Sequence, residues 1–262
     1  MHTVASLTEA HVFQRARREV WRSVVDVRHL LDFRTSAIRR PSVFVGLGGV
    51  FVGLTLAAAF LPALSPEAGS AKGYALDALV VLPTAMAGVV LLAIVSAVAS
   101  GGGRELLSRE HAVVYPVSPT TDHLGALLLA PLNISWLLQA WLLLGATAYA
   151  VDARQLPAAQ IGMVVWLALA TAVGQVAAWT MEAVRRTRHG IAIVRCLGIA
   201  VGVAAVALQL TGNLGRMLDS LSTKWVVAGL VDGFSPRWLA TVGCELFLLV
   251  AAACLNRSSP AI

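Results

Sequence analysis

Long apolar runs without charge constrain the fold of this chain more than any motif does. The run over residues 43–61 contains no charged residue, and several runs of similar length follow it. A bilayer core about 30 Å thick is crossed by about 20 apolar residues in an α-helix, because unpaired backbone polar groups are not tolerated against lipid. Charged residues make up only 13% of the chain, against about 25% in soluble domains. The sequence therefore predicts an all-α integral membrane protein.

Six transmembrane helices are predicted within residues 41–262. Each predicted span is an apolar run bounded by polar residues, proline or glycine: 43–61, 78–100, 124–151, 157–181, 190–212 and 236–256. In the first span, Gly49 and Gly53 are four residues apart. Small residues at this spacing allow helix backbones to approach each other. Close helix packing is therefore expected at this pair.

The distribution of basic residues predicts the orientation in the membrane. Six spans with the N-terminus inside place 15 of the 20 Lys and Arg residues in the cytoplasm, as the positive-inside rule requires. Both termini are then cytoplasmic. The Ala, Val, Leu and Arg bias suggests a bacterial chain of the plasma (inner) membrane. The net charge of +6 then reflects orientation and attraction to membrane lipids, not nucleic-acid binding.

Residues 1–40 are predicted to form a cytoplasmic amphipathic helix at the membrane interface. Apolar residues recur every three or four positions, at Phe13, Ala16, Val20, Val24 and Val27, and arginines occupy much of the other face. Such a basic amphipathic helix lies in the plane of the bilayer surface. Packing against a cytosolic partner is the alternative. The segment is too polar and too acidic for a signal or transit peptide.

A polar stretch between the second and third spans carries the most information on function. It reads RELLSREHAVVYPVSPTTDHLGALLLAPLNISWLL and begins at Arg104. A triple glycine ends the preceding span, a short helix is expected at residues 104–116, and Pro116 and Pro119 end it. Thr120, Thr121 and Asp122 are suitable N-cap residues for the next span. The prediction is a stiff cytoplasmic projection joined to two membrane helices.

This combination resembles the membrane subunits of ABC-2 type ABC transporters. The resemblance rests on the leading amphipathic helix, the six spans, the short loop helix and the run YPVSPTTDHLGALLLAP before the third span. It implies that the loop helix is a coupling helix that docks on a separate ABC ATP-binding subunit, which binds ATP and Mg. A second copy of this chain or a related permease would complete the path of an exporter. The residues implied at the ATPase contact are Glu105, Ser108, Arg109, Glu110, His111 and Tyr115. A solvated loop with helical tendency is the alternative.

Residues 213–235 form a further segment that is too polar to cross the membrane. Seven apolar residues at 225–231 lie within it, and such a short apolar piece favours a re-entrant or interfacial position over a span. On the predicted topology this segment is on the outer side. An outer loop with an apolar patch beneath it is the alternative.

Polar residues inside the predicted spans are few. Glu245 is an acid deep in the sixth span, where a carboxylate is costly unless it is paired or faces a cavity. Together with Gln139 and Gln175 it is a candidate for the substrate path or an intersubunit contact, and a structural hydrogen bond is the alternative for all three. No Walker motif GxxxxGK[ST] is present, so no cofactor is expected on this chain.

No catalytic or metal-binding residues are predicted. The six histidines show no HExxH pair, and the three cysteines have no disulfide or metal spacing. An intramembrane enzyme is therefore the weaker hypothesis, and a membrane receptor or assembly protein is a third.

Overall fold

The computed structural model describes residues 41–99 and 134–258, together with Val25. The described residues form helices and no strand. The helices are α1 Pro41–Phe60, a 3₁₀ helix Leu61–Leu64, α2 Gly73–Ala99, α3 Ile134–Ala150, α4 Leu156–Arg185, α5 Gly190–Leu210, α6 Leu214–Asp219, α7 Thr223–Leu230 and α8 Pro236–Ser258. The all-α prediction is confirmed for this part of the chain.

Four of these helical segments are long and apolar enough to cross a membrane. They are Val45–Leu64, Gly73–Ser96, Leu156–Arg185 and Gly190–Leu210. At a rise of 1.5 Å per residue, the 30 residues of α4 extend for about 45 Å, which exceeds a bilayer core of about 30 Å. This composition identifies a membrane protein. A total of six crossings stays a prediction.

Several predicted elements lie outside the described residues. These are the amphipathic helix at 1–40 except for Val25, the loop helix at 104–116 and the first ten residues of the predicted third span. The remainder of that span is α3, and the other five predicted spans coincide with α1, α2, α4, α5 and α8 to within a few residues at most ends. The largest difference is at α2, which begins five residues earlier than the predicted start at 78.

Helix α4 is the centre of the bundle and contacts α2, α3, α5, α7 and α8. Two contacts at different levels between the same two helices show whether those helices are parallel or antiparallel. Trp166 of α4 reaches Met86 of α2, and eight residues later Gly174 lies against Ala93, so α2 and α4 are parallel. Helix α3 is antiparallel to α4, because Trp136 contacts Thr171 while the carbonyl of Leu144 meets Gln160.

Proline and aspartate determine where two of the central helices begin and end. Pro62 lacks an N–H and therefore cannot donate the bond that would continue α1, and the chain passes into the short 3₁₀ helix. Between α3 and α4, Asp152 Oδ1 accepts the N–H of Arg154 at 2.9 Å. Pro157 then occupies the first turn of α4, where its fixed φ is suited to a helix start. The five-residue turn makes α3 and α4 adjacent antiparallel helices.

Close backbone contacts occur at other glycines than the sequence predicts. A Cβ atom on Gly174 would lie 3.0 Å from the backbone carbon and oxygen of Ala93. By contrast, no heavy atom of the described residues lies within 4 Å of the corresponding position on Gly49 or Gly53. The expectation of close packing at that pair is therefore wrong within the described chain. Gly49 and Gly53 are exposed in the described chain.

Helix α5 is separate from the core along nearly its whole length. Gly190 at its start is buried, whereas the other residues of α5 are exposed or half-buried. Its large side chains are exposed, among them Ile193, Ile199 and Val203. Within the described residues, α5 is held to the bundle through its neighbour α4. These apolar side chains have no cover among the described residues.

Substitution of Gly174 by Ala tests the contact between α2 and α4. The added methyl group must displace backbone atoms of Ala93, and overpacking of this kind costs about 1–3 kcal/mol. This outweighs the gain of about 0.8–1 kcal/mol from the better helix propensity of Ala. We expect Gly174→Ala to lower the thermal unfolding midpoint of the purified protein.

The matched control for this substitution is Gly88→Ala in α2. No heavy atom of the described residues lies within 4 Å of its Cβ position, so helix propensity alone should act. An unchanged or higher midpoint is expected for Gly88→Ala. Equal midpoints for the two variants would contradict the close contact.

Candidate functional site in the buried polar residues of the bundle

Four tryptophan side chains donate hydrogen bonds between helices. Each indole Nε1 crosses to a neighbouring helix: Trp136 to Thr171 Oγ1 at 2.9 Å, Trp141 to Thr55 Oγ1 at 3.0 Å, Trp166 to the carbonyl of Met86 at 3.3 Å and Trp238 to the carbonyl of Ala158 at 2.9 Å. Buried indole N–H groups require such partners. Three of the four bonds involve α4, so this helix is fixed to α2, α3 and α8.

Gln160 joins three helices at one buried point. Its Nε2 donates to the carbonyl of Ala59 in α1 at 2.7 Å and to the carbonyl of Leu144 in α3 at 3.0 Å. Its side chain is buried, and its Oε1 has no hydrogen-bond partner among the described residues. Polar side chains between apolar helices contribute to association in a membrane. Gln160 is therefore a structural tie near the start of α4.

Glu245 lies on the buried face of α8. Its residue is 3% exposed, and Thr241 and Val242, one turn earlier on the same face, are equally sheltered. Neither carboxylate oxygen has a hydrogen-bond partner in the described part of the chain. The nearest hydroxyl along the helix, that of Thr241, donates to the carbonyl of Arg237 at 2.9 Å. The structure thus places this carboxyl group within an apolar helix interface.

The segment 213–235 forms two short helices, and the second is inserted beside the start of α8. In α7, a Cβ on Gly229 would collide with the side chain of Thr241, and Leu230 covers Gly162 of α4. Gly162 is six residues into α4, about 9 Å along its axis. Helix α7 therefore contacts α4 at a level about 9 Å from the first residue of α4. Whether this position is re-entrant relative to a membrane stays a prediction.

Thr223, the first residue of α7, is a further buried polar group without a partner among the described residues. It is 5% exposed, and the atom without a partner there is its Oγ1.

The three predicted path residues lie at separate places. Gln139 of α3 donates to Ser135 of its own helix at 3.3 Å, whereas the Oε1 of Gln175 in α4 is buried without a partner among the described residues. Helices α3 and α8 pack on opposite sides of α4, because Gln160 faces α3 while Gly162 faces α8, about 200° around the helix. The described contacts therefore do not bring Gln139 and Glu245 together.

The predicted ATPase-contact residues Glu105, Ser108, Arg109, Glu110, His111 and Tyr115 lie outside the described residues. Among the residues that are described, no group of three or more His, Cys, Asp or Glu side chains could hold a metal ion. The chemistry that the described bundle offers is hydrogen bonding by amides and indoles and proton exchange at a carboxyl group.

Sequence reasoning missed Gln160 as a residue that organises the bundle. The available signal was a lone amide at the fourth position after Leu156, inside an apolar run, which in a membrane protein favours an interhelical hydrogen bond. The sequence could not show which two helices would provide its acceptors. That information is in the antiparallel register of α3 and α4.

Comparisons with known proteins do not place the chain in a family. No protein-family model matches it, and no significant match was found among curated proteins or solved structures.

Replacement of Gln160 by Leu tests the three-helix tie. Leu has a similar volume but removes two donated bonds, each of which contributes on average about 0.6 kcal/mol in a membrane protein. The substitution also removes the buried Oε1, which has no partner among the described residues, and this recovers part of the lost stability. We expect Gln160→Leu to lower the free energy of unfolding by about 1 kcal/mol, measured by chemical denaturation in mixed micelles.

The control for the tie is Gln209→Leu, because Gln209 is an exposed amide near the end of α5. It should leave the free energy of unfolding unchanged. The role of Gln160 is refuted if the two variants are equally stable.

Proposed function

We propose that this chain is the membrane-spanning permease subunit of an ATP-driven ABC exporter. In this proposal it crosses the plasma membrane six times with both termini in the cytoplasm. A separate ABC subunit binds ATP and Mg, and two permease copies, identical or related, form the path. The observation that supports the proposal is that Ala99 and Ile134, the described residues that flank 100–133, lie at the same end of the bundle as the arginines at the end of α4.

The helix directions support a cytoplasmic position for that segment. Helices α2 and α4 are parallel, so Ala99 and Arg185 are at the same side of the bundle. Arg185 ends α4, and the turn that follows it carries Arg186 and Arg188. The positive-inside rule assigns a side with such a turn to the cytoplasm. A loop helix at 104–116 would then face a cytosolic ATPase.

The contacts of α2 indicate how a movement of the loop would reach the bundle. Trp166 is bonded to the carbonyl of Met86, and Ala93 meets the backbone of Gly174. Helix α4 is in turn bonded to α8 through Trp238 and Ala158. A force on the cytoplasmic end of α2 would therefore move α2, α4 and α8 together. Different contacts of the ATPase with the loop in its two nucleotide states must supply that force.

Surfaces for a second permease copy are available on α5 and α1. Helix α5 exposes Gly198 and Gly202, four residues apart, and α1 exposes Gly49 and Gly53 at the same spacing. Close approach of two membrane helices commonly uses this spacing. The scarcity of charged side chains in the spans favours an amphiphilic, lipid-like, drug or peptide substrate over a small ion.

Charge reversal in the loop helix tests the proposed ATPase contact. The double change Arg109→Glu and Glu110→Arg should abolish co-purification with the ABC ATP-binding subunit of the proposed complex, together with transport, while membrane insertion persists. Arg216→Glu is the control, because this exposed residue lies in α6, on the opposite side in the proposed topology. Retention of co-purification and transport in the double variant would refute the docking assignment.

Cysteine labelling tests the topology separately. In a variant without native cysteines, a cysteine at His111 should react with a membrane-impermeant maleimide only after the cells are opened. A cysteine at Ser222, exposed before α7, should react in intact cells. Labelling of position 111 in intact cells would exclude a cytosolic partner there and with it the transporter proposal.

A further inference from the structure

Glu245 is at the centre of the interface between α8 and α4. The buried face of α8 consists of Trp238, Thr241, Val242, Glu245 and Ala252. Trp238 is hydrogen-bonded to Ala158, and Val242 lies against Gly162. In both contacts the two residues are 80 positions apart, so α4 and α8 are parallel. The same register places Glu245 level with residue 165, one helical turn further into the bundle.

No charged group of the described residues compensates Glu245. In α4 the charged residues are Glu182 and Arg185, which are 17 and 20 positions beyond residue 165, or about 26 and 30 Å along the helix. In α7 the charged residue is Lys224, whose side chain is exposed. Arg237 of α8 is also exposed and is eight residues away. Neither carboxylate oxygen has a hydrogen-bond partner in the described chain, and the residue of α4 at the same level, Val165, is apolar.

The burial of Glu245 determines whether its carboxyl group is ionised or neutral in the packed interface. An ionised carboxylate without a partner in an apolar environment is strongly disfavoured, and such groups become neutral instead. A neutral acid removes most of this cost, although its O–H and C=O still lack partners. The packed interface therefore favours the protonated acid.

We propose that Glu245 is a proton-binding site whose occupancy is linked to the packing of α8 against α4. When the two helices pack, the carboxylate takes one proton from water and becomes the neutral acid. When they separate and water reaches the side chain, the acid releases that proton. The packed state thus holds one more proton than the separated state, so a rise in pH favours separation and a fall in pH favours packing.

This inference goes beyond the transporter proposal and does not depend on it. It requires neither an ATPase nor a second copy, only a change in the contact between α4 and α8. It predicts that any process that opens this interface releases a proton from Glu245.

The protonation state can be measured on the purified full-length chain in lipid nanodiscs. Dicyclohexylcarbodiimide reacts with protonated carboxyl groups in apolar surroundings, because the acid proton transfers to a carbodiimide nitrogen as the carboxylate oxygen adds to the central carbon. We expect a mass-spectrometric adduct on Glu245 at neutral pH and loss of labelling as the pH is raised. Glu182, which is partly exposed and bonded to Arg186 at 3.3 Å, should remain unlabelled and serves as the internal control.

Infrared spectroscopy provides a measurement that needs no reagent. The carbonyl stretch of a protonated carboxyl group should be present in the parent protein at neutral pH and lost in Glu245→Gln. Absence of both the adduct and this band would overturn the proposal, because Glu245 would then be ionised and paired with a cation from elsewhere in the chain or from a second copy.

Hydrogen exchange tests the link to helix packing. Amide protection in α8 of the parent, divided by that of Glu245→Gln at the same pH, should fall as the pH rises, because Gln cannot lose a proton. Gln is a neutral isostere of the protonated acid and should preserve the fold, as checked by gel filtration. A ratio that is constant with pH would show that protonation is not linked to packing.

Discussion

The bundle depends on hydrogen bonds and close backbone contacts made to α4. Between helices in a membrane there is no hydrophobic driving force, because lipid tails are as apolar as the side chains they replace. Association must then come from polar bonds and from small residues that let backbones meet. Trp166, Gln160 and the acceptor carbonyl of Ala158 connect α4 to α1, α2, α3 and α8. Gly174 adds close approach to α2.

These ties divide the described chain into a fixed group and a loosely attached helix. Helices α2, α3, α4, α7 and α8 share buried side chains such as Met86, Leu143, Met163 and Leu230, whereas α5 contributes none of its span to that core. A protein that changes conformation by altering the contacts between its helices requires such a division. The rigid part transmits the movement of one helix to the others, and the loosely packed part allows the movement. Glu245 lies within the fixed group, so its proton reports on whether that group is intact.

The positions of the helices could be predicted from the sequence, whereas their neighbours could not. Apolar runs with at most one charged residue locate α1, α2, α4 and α5, because the requirement for a length of apolar helix is local. The direction in which each helix faces is not local. A membrane helix is apolar on all sides, so the periodicity that identifies the buried face of a soluble helix is absent. Gly49 and Gly174 are indistinguishable by this criterion, yet within the described residues Gly174 meets another backbone and Gly49 does not.

The candidate site shows the same division between local and distant information. Glu245 could be recognised from its sequence position alone, because an acid among apolar residues is conspicuous. That it lacks a partner among the described residues depends on α4 and α7, which are distant in sequence. Gln160 was overlooked because a single amide near a helix start gives no indication of acceptors 16 and 101 residues away.

The isolation of α5 has a consequence for its response to lipid composition. Within the described residues, this helix is anchored at one end by the short turn after α4, and no packed neighbour fixes its angle to the bilayer. A helix in that position adjusts its tilt to match the hydrocarbon thickness around it, at a cost of fractions of a kcal/mol per Å. Thicker or thinner bilayers should therefore change the tilt of α5, while the remaining helices keep their mutual geometry. Bilayer thickness then acts on the protein through this one helix.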